Sequence, residues 1–182
     1  MIILASGSPR REELLKKICS EFKIHVSDAE EFTNATTPKE LAIENAVLKA
    51  KAVAKDFPHD TIIAADTIVT LGNKIFGKPH DFDDACAMLR QLVDKVHVVI
   101  TGLAVIKDDK ILTATEETEV HFGKMTDEEI ANYVKTGEPM DKSGSYALQG
   151  GMAPYVKKIN GDWSNVVGLP LYRLRKLLQM LR

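Results

Sequence analysis

Short apolar runs rich in β-branched residues alternate with capped helical segments along the whole chain, and this alternation restricts the fold more than any other feature. Residues 2–5 form the first such run, which is typical of a buried strand. Ser8-Pro9 follows it and predicts a helix start, because serine caps helices and proline suits the first helical position. Residues 22–26 alternate between apolar and polar and predict a half-buried strand. The pattern favours an α/β protein.

Two capping boxes fix the starts of further helices. Thr37-Pro38-Lys39-Glu40 predicts a long helix through Ala54, and Thr126-Asp127-Glu128-Glu129 predicts one that ends near Gly137. The segment 61–71 is either one long strand or two strands separated at Asp66-Thr67. The pattern also predicts a turn at Gly72-Asn73, a helix over 82–92 and a hairpin of strands 97–106 and 111–122.

The last quarter of the chain is rich in glycine, which indicates tight turns and backbone that approaches a ligand closely. Asn160-Gly161 lies between the apolar runs 156–159 and 163–167 and predicts a hairpin. Pro170 predicts the start of an amphipathic helix through Leu181. The sum is an α/β fold with a mixed sheet, as one domain over residues 1–182 or as two lobes. The regular strand–helix repeat of a Rossmann domain or barrel is not seen.

Composition excludes several classes of protein. The 182 residues carry a net charge of −2, so no global positive field attracts nucleic acid or an anionic membrane, and an anionic ligand needs a local cluster of cations. Cys19 and Cys86 lie far apart, which excludes a thiolate metal site and predicts two reduced, buried thiols. No apolar run is long enough for a membrane span or has the order of a signal peptide. We expect a cytoplasmic protein without a nucleic-acid or membrane partner.

The segment Leu4-Ala5-Ser6-Gly7-Ser8-Pro9-Arg10-Arg11 is a candidate anion site. A strand ends in small residues, and a helix N-terminus follows with its N–H donors and positive dipole. Arg10 and Arg11 in the first turn oppose that dipole at a cost of up to about 1 kcal/mol, which a bound anion would offset. A plain capped helix with solvated arginines is the alternative.

Asp66 is a carboxylate inside the apolar run Ile62-Ile63-Ala64-Ala65-Asp66-Thr67-Ile68-Val69. A charge in such a run is out of place unless it is paired, bound to a metal or catalytic. An Asp at a strand end or bulge that bonds nearby N–H groups is the alternative.

The remaining candidates are weaker on local pattern alone. Lys78 in the turn Gly77-Lys78-Pro79 and Lys49 in the long helix would normally be solvated, and Glu30-Glu31 would normally be a surface pair. Gln149 stands beside Gly150-Gly151, where its amide offers one donor and one acceptor to a base edge. The five histidines have no ligand spacing, and no P-loop or serine-nucleophile motif occurs.

Taken together and in order, these stretches resemble the Maf family of nucleoside triphosphate pyrophosphatases. The resemblance covers nearly the whole chain and is carried by LASGSPRR (4–11), KAKAVA (49–54), AADTIV (64–69), GKP (77–79), GEPMDKSGSYALQG (137–150) and NVVGLPL (165–171).

The resemblance implies an elongated mixed sheet with flanking helices, in two lobes around a cleft as in the inosine triphosphatase fold, and a homodimer. It implies that Asp66 is the general base for hydrolysis of a nucleoside triphosphate to the monophosphate and pyrophosphate. Mg²⁺ or Mn²⁺ would be held with Glu31 or Asp66. It assigns phosphate binding to Ser6, Ser8, Arg10, Arg11, Lys49 and Lys78.

Substrate selection is assigned to Arg10, Thr67 and Gln149. Thr67 after the catalytic Asp and Gln149 before glycine resemble the branch that acts on dTTP and UTP, with modified pyrimidine nucleotides as further substrates. The chain departs from the family pattern at Pro154, which could reshape the base pocket. Two alternatives remain open: a nucleotidyltransferase, and a non-catalytic, nucleotide-sensing regulator of septum formation.

Overall fold

The computed structural model describes residues 1–29 and 35–181 and has a mixed α/β fold. The strands are β1 (Ile2–Leu4), β2 (Lys23–Ile24), β3 (Thr61–Leu71), β4 (Lys74–Phe76), β5 (Val96–Lys107), β6 (Lys110–Phe122) and β7 (Val156–Asn160). The helices are α1 (Pro9–Lys16), α2 (Pro38–Ala54), α3 (Phe82–Leu92), α4 (Asp127–Lys135), α5 (Trp163–Val167) and α6 (Leu171–Met180), with three short 3₁₀ turns between Glu138 and Tyr155.

The seven strands form one mixed sheet in the order β2-β1-β3-β5-β6-β7, and β4 pairs with β3 outside this path. β1 is parallel to β2 and β3, whereas β4 is antiparallel to β3 and β7 is antiparallel to β6. The predicted mixed sheet with flanking helices is therefore confirmed. β3 is a single strand of 11 residues that continues through Asp66 and Thr67, which decides between the two expectations for this segment.

The capping signals predict the helices well because they are local. The side chain of Thr37 accepts from the N–H of Glu40, and the side chain of Glu40 accepts from the N–H of Thr37, so α2 begins where expected. The box at Thr126 starts α4 in the same way. Gly137 follows α4 with a φ of 77°, a left-handed conformation that favours glycine.

Three predictions fail. Asn160-Gly161 does not turn a hairpin, because the N–H and C=O of Asp162 are both bonded to Thr118 Oγ1 of β6, and residues 163–167 then form the helix α5. The strand expected over 22–26 shrinks to the exposed pair Lys23–Ile24 of β2. The predicted burial of both thiols also fails in part, since Cys86 is buried but Cys19 is only half-buried.

The chain divides into two compact units, each assembled from separate segments. The first contains Met1–Thr67, Ile100–Glu116 and Ser164–Arg182, and the second contains Ile68–Val99 and Glu117–Trp163. Within the parts of the chain that the structure describes, no helix is both long and apolar enough to cross a membrane.

The core of the first unit lies between α2 and one face of the sheet. Alternate residues of three strands face the helix, as the two-residue period of a strand requires. They are Ile3 within β1 and Ala5 just after it, Ile62 and Ala64 of β3, and Ala104 and Ile106 of β5. These side chains pack against Ala46, Ala50 and Val53 of α2. Gly102 of β5 lies under the same helix, where a Cβ atom would be 2.3 Å from the backbone of Ala42. The helix therefore rests directly on the strand backbone at this point.

Candidate functional site

Asp66 continues the face of β3 that packs against α2, and two side chains of that helix hold its carboxylate. Lys49 Nζ donates to Asp66 Oδ1 at 2.6 Å, and Asn45 Nδ2 donates to Asp66 Oδ2 at 3.0 Å. The side chains of Lys49 and Asp66 are mostly buried, with exposed fractions of 18% and 12%. The carboxylate in the apolar run is thus a buried charge held by an ion pair and an amide, and the alternative of a plain strand-end Asp is wrong.

Asn45 is a site residue that the sequence analysis missed. It is 4% exposed and lies four residues before Lys49, so both point from one face of α2. The signal was present in the sequence, because Ala42, Ala46 and Ala50 mark the buried stripe and both polar residues fall within it. Lys51, by contrast, is exposed, as a surface lysine of this helix should be.

A second polar cluster joins Thr67 to Arg11. Arg11 Nη2 donates to Thr67 Oγ1 at 3.1 Å, Arg11 Nη1 donates to Ser6 Oγ at 3.2 Å, and Arg11 Nε donates to the carbonyl of Gly168 at 2.7 Å. Ser6 Oγ also accepts from the N–H of Ser8 at 3.2 Å. The Arg11 guanidinium therefore ties the end of β1 to β3 and to the turn after α5.

A buried threonine completes this cluster. Thr101 Oγ1 of β5 lies 2.9 Å from Thr67 Oγ1 and donates to the carbonyl of Asn165 at 3.1 Å. Since a hydroxyl has one proton and a carbonyl can only accept, Thr101 must accept from Thr67, and Thr67 must accept from Arg11. Each hydrogen bond of the chain from Arg11 to Asn165 thus has a fixed direction.

The other predicted phosphate residue of α1 has a different environment. Arg10 is half-buried, and no hydrogen bond or ion pair joins its side chain to the residues of the described ranges. Ser8 is the residue before α1 but its side chain makes no capping bond, and it is Ser6 that accepts the Ser8 N–H. The structure brings Ser6, Ser8 and Arg11 together with Thr67, and Lys49 together with Asp66.

Lys78 and Gln149 belong to the second unit, and both side chains are exposed. The glycine-rich segment before Gln149 is held firmly to its own unit. The N–H of Gly144 donates to the carbonyl of Gly77 at 3.1 Å, which joins this segment to the turn of Lys78. The N–H of Ala147 donates to Tyr133 Oη at 3.1 Å. Both predicted binding residues are thus presented from fixed backbone.

His97 packs against the same segment at Tyr146. Its Nε2 lies 2.7 Å from Tyr146 Oη, and its ring packs edge-on against Phe122 and Tyr146. Burial lowers the pKa of His97 to about 4, helped by the positive charge that His121 can carry, and burial raises the pKa of Tyr146. Both side chains are therefore neutral at pH 7, and their hydrogen bond and ring contacts hold the segment in place.

Glu31, predicted as a metal ligand, lies outside the described residues. Within residues 1–29 and 35–181 no group of three His, Cys, Asp or Glu side chains could hold a metal ion. The local donor set is one carboxylate, Asp66, beside the amide oxygen of Asn45, which is buried and has no hydrogen-bond partner in the described chain. Hard oxygen ligands of this kind fit a Mg²⁺ ion that takes most of its ligands from phosphates and water.

Comparison with known proteins decides the family. The sequence matches the family described as Maf-like protein over residues 1–181. The chain belongs to the Maf-like family. The resemblance found from the sequence motifs is confirmed.

Curated Maf-like relatives cover nearly the whole chain. Proteins named dTTP/UTP pyrophosphatase from Bacillus cereus (strain G9842) and from Pyrococcus abyssi (strain GE5 / Orsay) are each 46% identical to it, over 98% and 99% of this chain and 94% and 96% of their own lengths. A protein of the same name from Thermoanaerobacter sp. (strain X514) is 45% identical over 98% of this chain and 95% of its own.

A solved structure confirms the fold class of this Maf-like chain. The Staphylococcus aureus Ham1 protein superposes with a TM-score of 0.52 over 100% of this chain and 99% of its own, at 14% sequence identity. At that identity the likeness concerns the fold alone.

Proposed function

We propose that this Maf-like protein hydrolyses dTTP and UTP, with modified pyrimidine nucleotides as further substrates, to the monophosphate and pyrophosphate, and that Asp66 is the general base. The observation that carries the proposal is the buried carboxylate of Asp66 held by Lys49 and Asn45. The names of relatives at 45–46% identity supply the substrate class.

Asp66 suits the role of base because its carboxylate is fixed but not saturated. Two ionised oxygens can accept about four hydrogen bonds, and Lys49 and Asn45 provide two. A water bonded to the same carboxylate would be oriented toward the α-phosphorus, and its proton would pass to Asp66 as the new P–O bond forms and pyrophosphate leaves.

Lys49 and Arg11 would supply positive charge to the phosphates. An ammonium group has three N–H donors, so a lysine bonded to a carboxylate can also bond a phosphate oxygen. Arg11 is fixed by Ser6, Thr67 and Gly168, and a guanidinium with five donors can serve such contacts and still meet an anion. Arg10 is a further cation of the proposed site, and Thr67 is proposed to contribute to selection of the pyrimidine base. Lys78 and Gln149 belong to the second unit, and their roles in phosphate binding and base selection stay predictions from the family resemblance.

A divalent cation, Mg²⁺ or Mn²⁺, would be held by Asp66 together with the substrate phosphates, and Glu31 stays a predicted further ligand. When bound, it neutralises charge on the phosphate oxygens and on the leaving pyrophosphate. The work of this chain's own residues is then to hold Asp66, orient the water and bind the phosphate chain. Cytoplasmic location and a homodimeric state stay predictions.

The test is a nucleotide panel with the purified protein and its Asp66→Asn variant, in the presence of Mg²⁺ or Mn²⁺. The wild type should release pyrophosphate and monophosphate from dTTP and UTP without an added acceptor. Asp66→Asn should lose turnover by a factor on the order of 10³ or more, since the amide cannot take the proton, yet still bind the nucleotide.

Asp127→Asn is a matched control, because Asp127 makes an ion pair of the same 2.6 Å length with Arg90 in the second unit. This control should keep full activity. Substantial turnover by Asp66→Asn would refute its role as base. Nucleotide binding by the wild type without any turnover would refute the enzyme and support a regulator, and turnover only with an acceptor would support a nucleotidyltransferase.

A further inference from the structure

Thr101 lies beside the site but cannot touch a substrate, because its exposed fraction is 0%. Its hydroxyl nevertheless belongs to the chain of directed hydrogen bonds that runs from the Arg11 guanidinium to the carbonyl of Asn165. We infer that Thr101 is a positioning residue for the proposed pyrophosphatase reaction: through Thr67 it fixes the orientation of Arg11, and thereby the binding of the nucleotide phosphates. This inference rests on the proposed function.

The direction of the bonds gives Thr101 its effect. The carbonyl of Asn165 takes the only proton of Thr101, so the Thr101 oxygen is left as an acceptor for the proton of Thr67. With its own proton committed, the Thr67 oxygen presents lone pairs to Arg11 Nη2. If Thr101 lost its hydroxyl, the Thr67 proton could rotate toward Arg11 and oppose the N–H donor there.

Gly168 packs closely against the Arg11 side chain. The backbone of Gly168 accepts from Arg11 Nε at 2.7 Å, and a Cβ atom at this glycine would lie 3.3 Å from both Arg11 Nε and Thr67 Oγ1. Gly168 also has a φ of 121°, which favours glycine. Gly168 thus accepts from the guanidinium at Nε, and the hydroxyls of Ser6 and Thr67 accept from it at Nη1 and Nη2.

Alternation along the strands separates this role from the chemistry at Asp66. Asp66 bonds to α2, whereas the next residue, Thr67, bonds to Thr101 and Arg11. Loss of the Thr101 hydroxyl should therefore weaken substrate binding rather than the proton-transfer step. For phosphate contacts that are equal in the ground state and transition state, KM rises and kcat stays nearly constant.

The experiment compares Thr101→Val, which removes the hydroxyl and keeps the shape, with Thr101→Ser, which keeps the hydroxyl. We expect Thr101→Val to raise KM for UTP by about tenfold with kcat within about twofold, and Thr101→Ser to restore KM. The matched control is Thr118→Val, because Thr118 is 1% exposed and donates to the carbonyl of Asp162 at the same 3.1 Å, in the second unit. It should leave KM unchanged.

A double-mutant cycle with Arg11→Lys tests whether Arg11 carries the effect. In the Arg11→Lys background, Thr101→Val should change KM by less than about twofold, because residues that act through one another are not additive. Equal effects in both backgrounds, an unchanged KM in folded Thr101→Val, or the same rise in Thr118→Val would each overturn the inference. Should Thr101→Val fail to fold, Thr101→Ala takes its place in the same cycle.

A readout without turnover separates this inference from the proposed function. In ¹⁵N-labelled protein, the Arg11 Nη2–H signals, assigned by their loss in Arg11→Lys, should be protected from exchange in the wild type and in Thr101→Ser and should exchange faster in Thr101→Val, because Nη2 is the nitrogen that donates to Thr67. An inactive wild type with this pattern would sink the proposed function and leave the link from Thr101 to Arg11 standing. If the wild type is active but the exchange of its Arg11 signals is the same in Thr101→Val, the inference about Thr101 is overturned and the proposed function stands.

Discussion

Gly102→Ala should damage the site at Asp66 although Gly102 makes no contact with that carboxylate. The new Cβ atom would lie 2.3 Å from the carbonyl carbon and oxygen of Ala42 and 2.6 Å from the N of Ile43. The optimal separation of two non-bonded carbon atoms begins at about 3.5 Å, so α2 must move away from β5 by about 1 Å. Because Asn45 and Lys49 lie on the same helix, their donors retreat with it.

The expected loss follows from the two hydrogen bonds. A retreat of about 1 Å would lengthen the contacts of Lys49 and Asn45 with Asp66, now 2.6 and 3.0 Å, beyond useful hydrogen-bonding distance. Misplacement of this size can lower kcat/KM by about 10²-fold. Overpacking should also lower the free energy of unfolding by about 1–3 kcal/mol.

The assay is pyrophosphate release from UTP, with thermal unfolding measured on the same samples. Gly123→Ala is the matched control, because a Cβ atom there would meet its nearest neighbour, the carbonyl oxygen of Tyr155, at 3.4 Å. Ala42→Gly should not rescue Gly102→Ala, since the colliding atoms belong to the main chain. A folded Gly102→Ala protein with wild-type kcat/KM would refute the claim that close approach of α2 positions Asn45 and Lys49.

Two further predictions concern the second unit. Burial lowers the pKa of His97 from 6.5 to about 4, so the unfolded chain binds this proton more tightly than the folded chain. The contribution of the neutral ring to the free energy of unfolding is therefore complete above pH 6.5. It is lost as the pH falls toward 4, by about 3 kcal/mol. Denaturant unfolding from pH 7.5 to 4 should show this slope in the wild type and a smaller one in His97→Gln, and equal slopes would contradict it. Gln149→Glu should reduce the preference for dTTP and UTP in competition with other nucleotides, because the carboxylate no longer donates to the base; an unchanged preference would remove Gln149 from the base site.

Signals that act over a few residues gave reliable predictions of the fold. Both capping boxes start helices, and the bounds of α3 agree with the predicted ones. Asn160-Gly161 shows the limit, because the pair has the composition of a hairpin turn but β7 pairs with β6 and not with the segment that follows. The partner that decided this, Thr118, lies more than forty residues earlier and leaves no local trace.

The residues of the candidate site also differ in how far the sequence predicts them. Asp66 stands out because a carboxylate conflicts with its apolar neighbours, and its position could be predicted from the run itself. Asn45 was within reach, since it interrupts the buried stripe of α2. Thr101 was not, because threonine is an ordinary strand residue and its importance depends on Thr67 and Asn165 meeting it from other parts of the chain.

The three long strands β3, β5 and β6 each contribute residues to both compact units, and the crossings at Thr67, Val99 and Glu116 fall inside strands. No linker therefore exists at which a gene could be cut to yield one unit as a continuous polypeptide. A fragment ending at Thr67 would carry Asp66 and its helical partners yet lack Thr101, Asn165 and Gly168. A crossover with a relative at any of these three positions would for the same reason leave the first unit with segments from both parent proteins.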